Sequence, residues 1–313
     1  MRILITGAAG FIASHLCEKL KSLGHEVYGI DNFNDYYEVK LKELNASDLA
    51  KQGIFIFRRD LNDDLNDVFA TPYDYIFHFA AQPGISSETT LEEYVDNNIY
   101  ATQNLLEATL KYNSNIKSFI NISTSSVYGI EATVDETALA KPVSFYGVTK
   151  LASEQLVLGL QRTGKLKACS IRLYSVYGPR ERPEKLYTKL IENLYFDKPF
   201  PLFEGSLEHE RSFTFVGDIV DGLAAIIRKE EVINGEIINL GTDEVNTTQE
   251  GIQVVEAIMN KRLIIDYKPA RNGDQLRTSA VIDKAKLLLG YKPKTNLKEG
   301  LQKQVDWYLE KFT

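Results

Sequence analysis

Apolar residues in the first half of the chain form short uniform runs. Between these runs lie longer stretches in which apolar residues recur every third or fourth position. RILIT (2–6), EVYGI (26–30), IFIFR (54–58), YIFHF (75–79), SFINI (118–122) and KACSIRL (167–173) read as strands. Runs so uniformly apolar are buried on both faces, and their alternation with helical stretches predicts a parallel sheet covered by helices on both sides. Helices are expected at 10–23, near 92–112 and at 144–162. The first sets Ile12, Leu16, Leu20 and Leu23 against a polar face of His15, Glu18, Lys19 and Lys21. Beyond about residue 175 the rhythm changes: prolines cluster at 179, 183, 199 and 201, and the elements become shorter and mixed. The pattern predicts an α/β protein with a doubly wound parallel sheet over 1–175. A smaller mixed α/β domain follows over 176–313, interleaved with the first because EIINL (236–240) reads as a strand returning to the main sheet.

Bulk properties narrow the function classes. The 313 residues are 44% hydrophobic and 25% charged, ordinary for a globular chain. A net charge of −7 opposes a general nucleic-acid binder, which presents a basic face. A small anionic ligand is still compatible, since one or two arginines reverse the field in a cleft. Cys17 and Cys169 sit in apolar segments, so no structural disulfide is expected and the cytoplasm is the natural compartment. His15, His25, His78 and His209 are scattered, with no cysteine or carboxylate cluster at ligand spacing, and no metal is expected. The apolar start is read as a strand and an amphipathic helix rather than a signal peptide. No run approaches the ~20 residues that span a bilayer, so no membrane partner is expected.

Gly7-Ala8-Ala9-Gly10-Phe11-Ile12-Ala13 joins the first strand to the first helix. Small residues there let the backbone approach a pyrophosphate, and the free N–H groups of the helix start face the anion. Asp31 ends the second strand, followed by Asn32, 24 residues after Gly7. A carboxylate at that place accepts both ribose hydroxyls of NAD and repels the 2′-phosphate of NADP. Asp60-Leu61 closes the third strand where an adenine edge would lie, and Ala80-Ala81 closes the fourth beside the pyrophosphate. The sheet is therefore expected to be of the Rossmann type, with NAD bound through Gly7, Ala9, Gly10, Phe11, Ile12, Asp31, Asn32, Asp60, Leu61, Ala80 and Ala81.

Tyr146 and Lys150 stand four apart on a predicted helix and project from one face. A nearby ammonium stabilises a tyrosine phenolate, which is otherwise scarce at neutral pH. Tyr36 and Lys40 have the same gap, but they follow Asp31 and are assigned to the adenosine side, away from the chemistry. The 146/150 pair instead follows the fifth strand and the cluster Ser123-Thr124-Ser125-Ser126 at its carboxyl end, where such sheets bind ligands.

The set GAAGFIAS, Asp31, HFAA, STSSVYG, Tyr146-x-x-x-Lys150 and VYGPRERP, continued by RSFTFVGDIVDG (211–222) and KAKLLLGYKP (284–293), resembles the extended short-chain dehydrogenases that epimerise or dehydrate nucleotide sugars. It covers nearly the whole chain and is most similar to the UDP-glucuronate 4-epimerases. The resemblance implies a UDP-sugar substrate, NAD recycled within each turnover, and a homodimer built on the helices near 92–112 and 144–162, where Leu105, Leu106, Leu156 and Leu158 offer second apolar faces. It also implies that Thr124 bonds the sugar O4, that Tyr146 takes its proton, and that Lys150 supports the phenolate and the cofactor.

Ser125 and Ser126 stand where dehydratases of the family carry an Asp-Glu pair, and hydroxyls cannot do that acid–base work. Ser175 stands where many UDP-hexose enzymes have asparagine. With Ser125, Ser126 and Arg182 it is expected to cradle a C5 carboxylate. Arg211 and Arg271 match diphosphate-binding arginines, and Phe203 is placed near the uracil. Two departures favour a neutral sugar: the loop AAQPGISSETTLEEY has Ser86 where glucuronate epimerases have arginine, and Arg271 is more typical of neutral UDP-hexose enzymes. A neutral UDP-hexose or UDP-N-acetylhexosamine 4-epimerase, a nucleotide-sugar dehydratase or decarboxylase, and a non-catalytic NAD sensor remain the alternatives.

Overall fold

The computed structural model describes residues 1–84, 88–270 and 277–312. Strands β1 (Arg2–Thr6), β2 (Glu26–Asp31), β3 (Phe55–Arg58), β4 (Tyr75–His78), β5 (Ser118–Thr124) and β6 (Ala168–Leu173) form one sheet with a last strand, Ile237–Leu240. Every neighbouring pair is parallel, and the spatial order from one edge is β3, β2, β1, β4, β5, β6 and then Ile237–Leu240. This is the doubly wound sheet expected from the apolar runs. The order reverses between β1 and β4, which opens a crevice at their carboxyl ends.

Strand alternation divides the core in two. Ile3, Ile5, Tyr75, Phe77, Ile120, Ile122, Cys169 and Ile171 pack toward α1 (Phe11–Ser22) with Leu16, Cys17 and Leu20. Leu4, Ile76, Phe119 and Ala168 point the other way, toward α4 (Ala101–Tyr112) and α5 (Phe145–Arg162). Both cysteines are free and buried. Leu105, Leu106 and Leu158 belong to the protomer's own interior, at 0%, 3% and 2% exposure, so they are unavailable as an interface face. Leu156 is partly buried against the same cluster.

Between β2 and β3 runs α2 (Val39–Lys51), which the hydrophobic pattern did not disclose. The helix preceding β5 is also more than one helix. It begins as α3 (Leu91–Val95), widens into a π-turn at Asp96–Tyr100, and continues as α4. Residues after β6 supply short paired segments, among them Val176–Tyr177 with Thr214–Phe215 and Phe200–Phe203 with Ile265–Lys268. They also supply α6 (Leu186–Tyr195), α7 (Val216–Ala224) and a terminal helix, Leu297–Phe312. Among the described residues no helix is long and apolar enough to cross a membrane, and no cluster suits a metal ion.

Candidate active site

A cleft of about 1780 Å³ opens over the carboxyl ends of the strands, between the main sheet and the later segments. At its floor Gly7 adopts φ +66°, and a Cβ there would fall 3.0 Å from the Ala80 backbone nitrogen. Only glycine lets the β1 and β4 ends meet so closely. α1 starts at Gly10 with no side-chain cap. Its first turn is left to face the cleft, which Gly10, Phe11, Ile12 and Ala13 line. Ala9 lies behind this wall: its N–H donates to Asp31 Oδ2 at 3.0 Å and its carbonyl accepts from Asn45 Nδ2 at 2.9 Å. Asp31 Oδ1 accepts the Phe33 N–H at 2.8 Å. Burial raises the Asp31 pKa, while these two N–H groups and Lys42 oppose the rise. Asn32 Nδ2 donates to Asp60 Oδ2 at 2.7 Å, and Leu61, Ala80 and Ala81 complete the same wall. A glycine-built approach, an uncapped helix start and a fixed carboxylate suit the pyrophosphate and ribose of a dinucleotide.

The chemical end is built by β5 and α5. Thr124 ends β5, and its Oγ1 accepts the Ser126 N–H at 3.2 Å, which coils Ser125 and Ser126 into a tight turn. Ser144 caps α5 by accepting the Gly147 N–H at 3.1 Å. A Cβ on Gly147 would lie 2.7 Å from the Ser126 carbonyl, so this glycine lets α5 press against the serine turn and brings Tyr146 beside Thr124. Burial raises the Tyr146 phenol pKa, and a hydrogen bond with Thr124 and the Arg182 charge oppose it. Lys150 is 3% exposed, pushed down to about 8 by burial with the carboxylate of Glu154 working against the shift. Glu154 itself is held by Arg172 Nη2 at 2.6 Å and Nε at 3.1 Å.

Ser175, Arg182 and Arg211 line the cleft with Ser125 and Ser126, so residues some 50 to 90 positions apart meet there. Phe203 is the exception: it ends the strand Phe200–Phe203 and is not among the residues that line the cleft, whereas Phe196 and Phe213, on either side of it in sequence, are. Arg271 and Ser86 lie outside the described residues. Tyr36 corrects the sequence reading, because it lines the cleft and its phenol acts on Tyr146, whereas Lys40 points to solvent and pairs with Glu38 at 3.5 Å. Glu181, Lys185, Trp307 and Tyr308 also line the cleft. They come from loops and the terminal helix and carry no spacing signal. Burial pushes Glu181 up to about 7 although Gln304 Nε2 donates to it at 2.8 Å.

The family model described as NAD dependent epimerase/dehydratase matches residues 3–241. The chain belongs to that family. It is 38% identical over 311 residues to an uncharacterised UDP-glucose epimerase, YtcB, of Bacillus subtilis, covering 97% of both chains. It is 34% identical over 331 residues to UDP-glucuronate 4-epimerase 3 of Arabidopsis thaliana, covering 98% of this chain and 76% of that one. Among solved structures, a UDP-glucuronic acid 4-epimerase of Bacillus cereus in complex with UDP-glucuronic acid and NAD superposes with a TM-score of 0.92 at 36% identity over 99% of both chains. Membership of this family makes the chain an NAD-dependent enzyme of the epimerase/dehydratase kind, and Asp31 and the glycine-built floor are the parts of this chain that fit its cofactor.

Proposed function

We propose that this chain interconverts the C4 epimers of a UDP-sugar, with UDP-glucuronate as substrate. The observation that carries the choice of sugar is the environment of Arg182. Its side chain is 12% exposed, and Nη1 is buried with no hydrogen-bond acceptor among the described residues, although Glu184 Oε1 lies 3.0 Å away as an ion-pair partner. The same guanidinium lines the cleft with Tyr146, and its charge opposes the rise in the Tyr146 pKa. A C5 carboxylate, one atom from the reacting C4, would satisfy it.

NAD supplies the hydride acceptor and donor when bound, held by the Gly7–Ile12 turn, Asp31, Asn32, Asp60, Leu61, Ala80 and Ala81. Tyr146 removes the proton of the 4-hydroxyl, Thr124 orients that oxygen, and Lys150 supports the phenolate from the same helix face. Arg211 and Arg271 hold the diphosphate. The 4-keto sugar turns over between them and is reduced on its other face, with Tyr146 returning the proton. Residues 1–175 hold the cofactor and 176–313 the nucleotide sugar. We propose further that the protein works in the cytoplasm, where its two buried thiols stay reduced, and as a homodimer. The outer faces of α4 and α5, with Leu110, Leu156 and Leu160, are its contact, and light scattering at micromolar concentration should return twice the protomer mass.

The deciding experiment incubates the purified protein with UDP-glucuronate, UDP-glucose and UDP-N-acetylglucosamine and resolves the products by anion exchange. UDP-glucuronate is expected to be converted to its C4 epimer fastest. Conversion of the neutral sugars alone would establish the second reading, which the similarity to YtcB favours.

A further inference from the structure

One buried carboxyl group of the cleft wall is left unused by the hydride and proton transfers. Glu181 belongs to the loop that carries Arg182, is 6% exposed and lines the cleft. All of its side-chain hydrogen bonds fall on one oxygen. Oε2 accepts from Gln304 Nε2 at 2.8 Å, from Thr188 Oγ1 at 3.0 Å and from the Thr188 N–H at 3.3 Å. Gln304 Nε2 also donates to Thr188 Oγ1 at 3.1 Å, so α6 and the terminal helix close around that oxygen. Oε1 has no hydrogen-bond partner among the described residues and is the oxygen left for the cleft. Every donor to the group is neutral: an amide, a hydroxyl and a backbone N–H. A carboxyl shielded from water with only neutral partners favours its uncharged form. Burial pushes Glu181 up to about 7, and Lys185 at the start of α6 opposes the rise. Tyr177 and Tyr187 also face it, both held neutral because burial raises their phenols. Arg182 and Glu184 follow in its own loop, and the terminal helix meets it with the Gln304 amide.

We propose that Glu181 is a substrate-binding residue that works as the neutral acid, its Oε1 hydroxyl donating a hydrogen bond to an anionic oxygen of the bound UDP-sugar. The three donors on Oε2 fix that oxygen as the acceptor, which leaves the proton to Oε1. A carboxyl kept neutral in this way becomes a donor. The inference rests on a UDP-sugar as ligand and not on which sugar it carries. Every such ligand brings a diphosphate dianion into the cleft. An ionised Glu181 would repel it from within the wall, whereas the acid attracts it. Binding therefore draws a proton from solvent wherever Glu181 starts ionised, and release returns it.

The test titrates UDP-glucose and UDP-glucuronate into the NAD-loaded Tyr146→Phe protein, slowed in turnover, by calorimetry in two buffers of different ionisation enthalpy. At pH 7.5 either sugar should take up about half a proton, and affinity should fall about tenfold from pH 6.5 to 8.5. Neither ligand titrates in that range. Adding Glu181→Gln, uncharged at every pH, should abolish the uptake and flatten the profile to within about twofold. Gln304→Met removes a donor that favours the ionised carboxylate, so the fall in affinity should begin at higher pH. Uptake that persists in Glu181→Gln and vanishes in Lys185→Met would assign the proton to the lysine and overturn the proposal. Binding with no uptake and a flat profile would also overturn it while leaving the UDP-sugar reading in place. Binding of neither sugar would defeat that reading and the inference together.

Discussion

Replacing Arg182 by alanine is the most direct probe of what the cleft was built to hold. The loop that carries it is anchored independently. Arg180, at φ +67°, reaches Glu18 at 2.8 Å and Asp48 at 3.6 Å, and His15 Nε2 donates to the Pro179 carbonyl at 3.0 Å. On the other side Glu181 accepts from Thr188 Oγ1 at 3.0 Å and from Gln304. The guanidinium should therefore be removable with the loop left in place. The exchange costs the ion pair with Glu184, whose carboxylate is 45% exposed and screened by solvent, so the pair is worth little. It also costs the bonds to a substrate carboxylate, at roughly 2–3 kcal/mol for charge-assisted contacts in a shielded cleft. On that basis kcat/KM for UDP-glucuronate should fall by about 30- to 150-fold. UDP affinity, measured by calorimetry, should change less than about threefold, and UDP-glucose turnover should be spared. If UDP binding weakens as much as UDP-glucuronate binding, Arg182 is a diphosphate ligand and the case for an acidic sugar collapses.

Three further outcomes are expected. Tyr146→Phe should lower turnover by roughly 10²–10⁴ while leaving NAD binding intact by fluorescence titration, and near-normal rates would remove Tyr146 from the base role. Asp31→Ala should weaken NAD more than NADP, since only NAD offers the free ribose hydroxyl, and tighter binding of NADP than NAD by the unaltered protein would contradict this. Acid should destabilise the fold through His78. Its Nδ1 lies 2.8 Å from Thr6 Oγ1 and its Nε2 2.9 Å from Thr102 Oγ1, and burial lowers its pKa to about 3. A depressed folded pKa gives stability that is full above the ordinary value near 6.5 and lost as pH falls toward 3. Denaturant melts at pH 4.5 should therefore lose roughly 2–3 kcal/mol relative to pH 7 from this residue, and a His78→Gln variant that shows the same acid slope would refute the assignment.

The sequence pattern located the sheet because its strands are buried on both faces, so every residue from Ile3 to Ile5 and from Tyr75 to Phe77 is apolar whichever core it serves. α2 escaped for the opposite reason. The residues it buries are Lys42, Asn45 and Leu49, which share one face, and two of the three are polar because they bond to the Asn34 loop and the Ala9 carbonyl. Hydrophobic periodicity cannot register a helix whose inner face is hydrogen-bonded. The motifs placed Thr124, Tyr146 and Lys150 on elements that meet. Tyr36, five positions after Asp31, is expected beside the adenosine by its place in the chain, whereas it lines the cleft with the Arg182 guanidinium carbon 5.7 Å from its ring centroid. The residues from 181 onward were legible only where the family motif ran through them, since their neighbours in space lie far off in sequence, as Asp48 does from Lys311.

The π-turn at Asp96–Tyr100 holds one residue more than an α-helix would need. It turns Asn98 inward to accept the Gln82 N–H at 2.7 Å and to donate to Thr149 Oγ1 at 2.9 Å, which joins the loop after β4 to α5. Deleting a single residue from this turn would give an unbroken helix, more regular by every local measure. Yet the segment before it would swing by about 100° and slide by about 1.5 Å relative to α4. Tyr94, whose ring centroid lies 6.3 Å from that of Tyr146 and whose hydroxyl donates to the Gly84 carbonyl at 2.7 Å, would lose both contacts. Part of this active site is thus specified by the count of residues between two anchors, a quantity that no substitution at a single position can restore.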